Sequence, residues 1–399
     1  MSATTTTTFK PEANEELSLG GSVYRVRGLA QAGPLAKRPI RMIGGRAQVY
    51  QLIQNDTGKL HALKVMLPAF RDPQLVRNQS LLSQLAPLPG FDACKQIYLT
   101  PSSHPDELKS YPDLIYSSIM PWIDATTWTA VVSADSDIDV DENASWEIAY
   151  QFLVLARVLE RNGIAHCDLS GGNVMVNLDK LTVNLIDFDE VYWSGAPNPV
   201  VLPTGTPGYR KKMESQWKST GDRFATAVLV AEMLGWRDET VRSKSSGDSF
   251  FSDEDCATQD PERYRLLGQF LSDLHPSLGE LFERAWQAPS PDKCPSIDEW
   301  RMELMWARGW DRVPLDARDR ARLTLPTTAE SNTAVKKATP ASSTPGSTPG
   351  GTRGRVTRVP TKQPAVPGKK SWAGRVWLAI LIIICVAIAL YIFGFMPRY

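Results

Sequence analysis

His166-Cys167-Asp168-Leu169-Ser170-Gly171-Gly172-Asn173 closes a long helical run, and Leu185-Ile186-Asp187-Phe188-Asp189 follows, with Asp187 14 residues beyond Asn173. Upstream, Ala62-Leu63-Lys64 lies in a run of β character. Phosphoryl transfer needs a fixed cation at the nucleotide phosphates, oxygen ligands for a metal ion, and a carboxylate that orients the attacking hydroxyl. Lys64 is the cation. Asp187 and Asn173 carry oxygen donors suited to Mg2+. Asp168 can accept the hydrogen bond of an attacking hydroxyl. A lone strand lysine is ordinarily a surface charge and a lone turn aspartate a cap; the order and spacing of all three motifs carry the reading.

Residues up to about 120 hold short runs of β character: SVYRVRG, AQVYQLIQ, LHALKVML and YSSIMPW. Asn55-Asp56-Thr57-Gly58 is a turn between two of them. Beyond them, 146–163 and 222–236 repeat apolar residues at three and four spacing, which predicts helices. A β-rich part followed by a helical part predicts an α+β chain with two lobes.

The pattern resembles the protein kinase superfamily over about residues 21–310. The resemblance implies an N-lobe over about 21–120, a helical C-lobe over about 121–312, and ATP with Mg2+ between them. Ile43-Gly44-Gly45-Arg46-Ala47-Gln48-Val49 stands where the family's Gly-rich loop belongs, with Val49 15 residues before Lys64. Gly44 and Gly45 would cover phosphates, although Gly-Gly is also an ordinary turn. Met120-Pro121-Trp122-Ile123 resembles the hinge that meets adenine, and Asp124 the ribose contact, or equally a strand end. Gly205-Thr206-Pro207-Gly208-Tyr209 resembles the end of a Ser/Thr-kinase activation segment, which implies a hydrogen bond from Thr206 near Asp168. Asp222 resembles the residue that braces the catalytic-loop backbone, and reads equally as a helix N-cap. Ser296 with Glu299 is a capping box.

Departures from the family pattern bear on activity. No acid occurs between Asp72 and Asp92. The helix glutamate that pairs with the strand lysine would fall at Asn78 or Gln79, so the pairing charge is missing or comes from elsewhere. Cys167 replaces an arginine that receives activation-loop phosphate. Ser170 replaces a lysine, as in RIO-like kinases, and Asp189 replaces the glycine of DFG. Glu214 and Cys294, with Lys293 beside it, depart together from positions that carry an ion pair in the family. Three readings follow: a Ser/Thr-type protein kinase, a pseudokinase scaffold, and a small-molecule kinase.

Val376 to Phe395 is 20 uncharged residues, enough to span a hydrocarbon core of about 30 Å. Basic residues precede it and only Arg398 follows, which predicts a single-pass anchor with residues 1–375 cytoplasmic. Residues 327–371 read as a flexible basic linker and residues 1–20 as a disordered tail. Lys+Arg and Asp+Glu are 44 each, which argues against a nucleic-acid partner. Five scattered cysteines form no disulfide or metal pattern and agree with a reducing compartment.

Overall fold

A computed structural model describes residues 9–29, 37–133, 136–211, 216–310 and 318–339. The first lobe is an antiparallel sheet of seven strands: β1 (Glu16–Leu19), β2 (Ser22–Val26), β3 (Arg41–Ile43), β4 (Ala47–Gln54), β5 (Leu60–Met66), β6 (Ile97–Tyr98) and β7 (Ser118–Pro121), in the order β1-β2-β4-β5-β7-β6, with β3 paired to β4. All four runs of β character became strands. β4 and β5 meet through the Asn55–Gly58 turn, where Gly58 takes φ +68°, a conformation that disfavours a side chain. Tyr50, Leu52, Leu63 and Val65 alternate inward from these two strands and are buried.

The lobe begins earlier than expected. Leu17 and Leu19 alternate with polar neighbours in β1 and are fully buried, and Phe9 packs edge-on against Tyr50 and Tyr111. Of the tail expected over 1–20, residues 9–20 therefore belong to the fold. Polar composition hid a period-two pattern only four residues long.

Between β5 and β6 lies a 3-10 turn, Pro73–Asn78, leading into the short helix α1 (Gln79–Leu85). The second lobe is built on α2 (Glu142–Arg161) and α3 (Arg223–Gly235), joined by α4 (Glu262–Leu274), α5 (Pro276–Gln287) and α6 (Ile297–Ala307). The Asp141 carboxylate accepts from Ala144 N at 2.7 Å and starts α2 four residues before its apolar run. Gly163, at φ +70°, follows its end. Nearly every side chain of α3 is buried, so apolar residues run all round that helix. The Ser296–Glu299 capping box opens α6 as expected. Short strands carry the loops between: β8 (Thr126–Thr127), β9 (Ile164–Ala165), β10 (Val174–Asn177), β11 (Thr182–Leu185) and β12 (Tyr192–Trp193), in the ladders β8-β10-β11 and β9-β12.

The linker expected from residue 327 is helical at its start. Thr327 and Glu330 form a capping box for α7 (Thr328–Ala338). Leading into it, Leu323 N donates to Asn162 Oδ1 at 2.9 Å, and Gln84 exchanges two hydrogen bonds with Thr324 at 2.7 and 2.8 Å. Val335 and Ala338 then pack with Leu75, Val76, Tyr98 and Tyr116 of the first lobe. The chain thus leaves the helical lobe and straps across to the region around α1. Threonine-rich composition concealed the apolar spacing of Ala334, Val335 and Ala338. The expected linker beyond Thr339 and the expected span at 376–395 lie outside the described residues, as do Glu214 and residues 1–8. Among the described residues no helix is long and apolar enough to cross a membrane.

Candidate active site

A narrow cleft of about 150 Å3 separates the lobes. Val49, Ala62 and Met120 come to it from the sheet, and Met175 and Ile186 from β10 and the end of β11. In the sheet, Val49 pairs with Lys64 and Ala62 with Met120, so the register itself assembles that wall. Trp122 and Ile123 edge the cleft, and Trp122 N donates to Leu60 O at 3.0 Å. Such apolar faces with few polar groups suit a flat ligand. Composition and spacing did not single out Met175 or Ile186, which tertiary folding brings opposite Ala62.

Gly44 and Gly45 sit at the exposed tip of the β3–β4 hairpin, closed by Gly44 N donating to Ala47 O at 2.9 Å. Neither has a positive φ, and a Cβ would meet nothing closer than 3.5 Å. The bare backbone leaves room for a ligand against the tip. Asp124 is exposed and is not part of the cleft wall; its carbonyl accepts from Asn177 Nδ2 at 2.9 Å. Arg46, at the same tip, pairs with Glu190 across the cleft.

The three motifs converge at one end. Lys64 Nζ lies 2.7 Å from Asp187 Oδ1 and 2.7 Å from Asp189 Oδ2. Burial alone would lower the Lys64 pKa; the Asp187 and Asp189 carboxylates outweigh it and hold it above its ordinary value, fully charged. Burial also works against ionised Asp187, but Lys64 prevails and holds its pKa low. Asp189 goes the other way, raised by burial and by the like charge of Asp187 against the pull of Lys64. Asp187 sits at φ +65°, a left-handed conformation that aspartate tolerates better than most residues.

Phe188 is buried between Phe91 and His166, at centroid separations of 6.1 and 4.9 Å. His166 Nε2 donates to Ile186 O at 2.8 Å. Ile186 N donates to Asn173 O at 3.0 Å, which ties the catalytic loop to the Asp187 segment. Asn173 Nδ2 donates to Asp168 O at 2.7 Å, leaving its Oδ1 to ligate. Thr206 Oγ1 donates to Asp168 Oδ1 at 2.8 Å, as the Gly205–Tyr209 motif implies. Asp222 accepts from His166 N at 2.5 Å and Cys167 N at 2.8 Å, and its side chain caps no helix, so of its two readings the brace is the one observed. Cys167 is buried, with its backbone at φ +64°.

Asn78 is fully buried, and its Nδ2 donates to Phe188 O at 2.9 Å and Asp189 O at 3.3 Å. Gln79 is exposed on the far side, beside α7. Two carboxylates meet Lys64, Asp187 and Asp189, and the second stands at the position where the sequence departs from DFG.

Among the described residues no three His, Cys, Asp or Glu side chains converge on a metal position. Asp187 and Asn173 alone fit Mg2+ in the way that ion is usually held, by one or two protein oxygens with phosphate and water completing the shell. The Asp187 side chain, 43% exposed, is open to such an ion.

Two lobes, a hairpin tip over a cleft, and a lysine–aspartate pair beside a braced loop define a protein-kinase-like fold. No protein-family model matches the chain, and no curated protein does. Among solved structures, the PK-1 kinase of Cydia pomonella granulovirus is similar, with a TM-score of 0.46 and 14% identity over 69% of this chain and 91% of that one.

Proposed function

We propose that the protein transfers the terminal phosphoryl group of ATP to serine or threonine hydroxyls of proteins, and does so while tethered to a membrane by residues 376–395 with the folded part cytoplasmic. The observation that carries the reading is the continuous contact path Thr206–Asp168–Asn173–Ile186 at the end of the cleft where Lys64 meets Asp187.

In this reading Val49, Ala62 and Met120 hold the base, with Trp122 at the edge and Asp124 toward the ribose. Gly44 and Gly45 cover the phosphates. Lys64 supplies a fixed positive charge to them. Asp187 and Asn173 would hold Mg2+, which neutralises charge on the phosphates when bound. Asp168 takes the hydrogen bond of the acceptor hydroxyl and orients its oxygen, while Thr206 fixes the carboxylate. The absent helix acid motivates the pseudokinase reading; Asp189 beside Lys64 supports the enzyme reading instead.

The test is transfer of label from radioactive ATP with Mg2+ to a generic protein acceptor by the full chain, beside Asp168→Asn. Label transferred by the parent and not by the variant is expected. A parent that shifts its melting temperature with Mg2+-ATP yet labels only an added metabolite would establish the small-molecule alternative. Loss of membrane association on deleting 372–399 is expected; an unchanged location would overturn the anchor.

A further inference from the structure

We infer that Asp189 is the positioning residue that holds Lys64 toward nucleotide phosphates, in the role that an acid on the helix after Pro73–Asn78 would otherwise fill. This rests on the ATP-binding reading of the cleft. Three observations carry it. The 3-10 turn before that helix ends in Asn78, which carries no charge and whose amide donates to the Phe188 and Asp189 carbonyls. The two carboxylates that meet Lys64 are unequal in access: the Asp187 side chain is 43% exposed and that of Asp189 13%. Asp189 also rides on a fixed backbone, because Phe188 beside it is buried against His166 and Phe91 and its own carbonyl accepts from Asn78.

The geometry gives the two aspartates different work. Asp187 faces the open cleft and is free to turn to a metal ion. Asp189 is enclosed and stays with the amine, so Lys64 keeps a counter-charge when Asp187 leaves it. An enclosed ammonium without a partner would be costly. The lysine is therefore held by an acid two residues after Asp187 and not by one on the helix.

Asp189→Asn keeps the side chain's shape and removes its charge, so folding is preserved, and Asp189→Glu keeps the charge. Affinity for Mg2+-ATP and for adenosine is measured by calorimetry on the full chain in detergent. Lys64 faces phosphates and not the base, so Asp189→Asn is expected to weaken ATP at least tenfold and leave adenosine within twofold. Asp189→Glu is expected to keep the parent's ATP preference over adenosine better than Asn does. Equal weakening of both ligands by Asp189→Asn would reveal a purely structural role, and no weakening of either would show that Lys64 needs no such partner; each overturns the inference. A parent that binds ATP without transferring label sinks the kinase reading and leaves this one to be decided by the affinities. A parent that binds neither ligand overturns both.

Discussion

Thr206 Oγ1 donates to Asp168 Oδ1 at 2.8 Å, across 38 residues of chain, and so fixes the carboxylate that the catalytic loop presents. Asn173 Nδ2 holds the carbonyl of the same aspartate. Thr206→Ala removes an orienting bond without removing the acceptor. Positioned acid–base groups contribute about 10^2–10^4-fold, so Asp168→Asn should cost in that range and Thr206→Ala about tenfold, both in kcat. Steady-state kinetics with varied ATP checks this. A Thr206→Ala enzyme as impaired as Asp168→Asn would mean that the threonine does more than orient.

Gly171 and Gly172 stand side by side in the catalytic loop and should respond differently to alanine. A Cβ on Gly171 would lie 2.7 Å from the Tyr209 hydroxyl and 2.8 Å from Thr129 Oγ1. On Gly172 the nearest atom would be 3.7 Å away. Gly171→Ala should destabilise by about 1–3 kcal/mol, the usual cost of overpacking, and displace the loop. Gly172→Ala should stay within about 0.5 kcal/mol, as for substitutions that touch nothing special. Urea unfolding of both variants distinguishes them.

Glu232 is a carboxylate with no solvent access in the middle of α3, and burial pushes its pKa up to about 7 against the three donors Phe250 N, Trp128 Nε1 and Tyr209 OH. The folded chain then binds more protons than the unfolded chain between the ordinary glutamate value and about 7. Stability should therefore be fullest below that window and fall by about 3 kcal/mol as pH rises through it. Glu232→Gln cannot ionise and should remove that share of the slope. Denaturant midpoints of parent and variant from pH 4.5 to 7.5 test it; parallel curves would refute the assignment.

α7 covers apolar residues of the first lobe. Cutting after Pro326 removes α7 and uncovers Val76, Tyr98 and Tyr116, which are buried in its presence. Each large apolar side chain returned to water costs about 1.5–3 kcal/mol when fully exposed. Partial exposure of three should lower stability by about 2–3 kcal/mol. Because Val76 and Asn78 share one 3-10 turn, and Asn78 holds the Phe188 and Asp189 carbonyls, ATP affinity should fall as well. A truncated chain with the parent's melting temperature and ATP affinity would show that α7 is a passive spacer. A cut after residue 330 severs α7 within its first turn and should behave like the shorter one.

Particular elements show how far the chain could be read before folding. Residues 47–54 and 60–66 announce themselves as short runs rich in apolar and β-branched residues bounded by a turn, and 146–161 because a helix on a core forces three and four spacing. Lys64, Asp168, Asn173 and Asp187 stood out because their motifs recur in a fixed order and spacing, and the fold brings Lys64 to Asp187 and Asn173 to Asp168. The brace at Asp222 was visible only as one of two readings, since a cap and a brace present the same residue at a helix start.

Other features had no local signature. Leu17, Leu19 and Phe9 are too few to form a pattern, and Val335 and Ala338 are hidden among threonines. Residues 111 positions or more apart meet in the contact of Asn78 with Asp189, and 125 in that of Lys64 with Asp189. The order of the motifs and the two lobes were written in the amino acids themselves, because periodicity and motif spacing are local properties of the chain. That two carboxylates, Asp187 and Asp189, meet at Lys64, and that the chain beyond the helical lobe returns to cover the first, was decided only by tertiary structure. An ion pair depends on distance in space, and no spacing along the sequence encodes it.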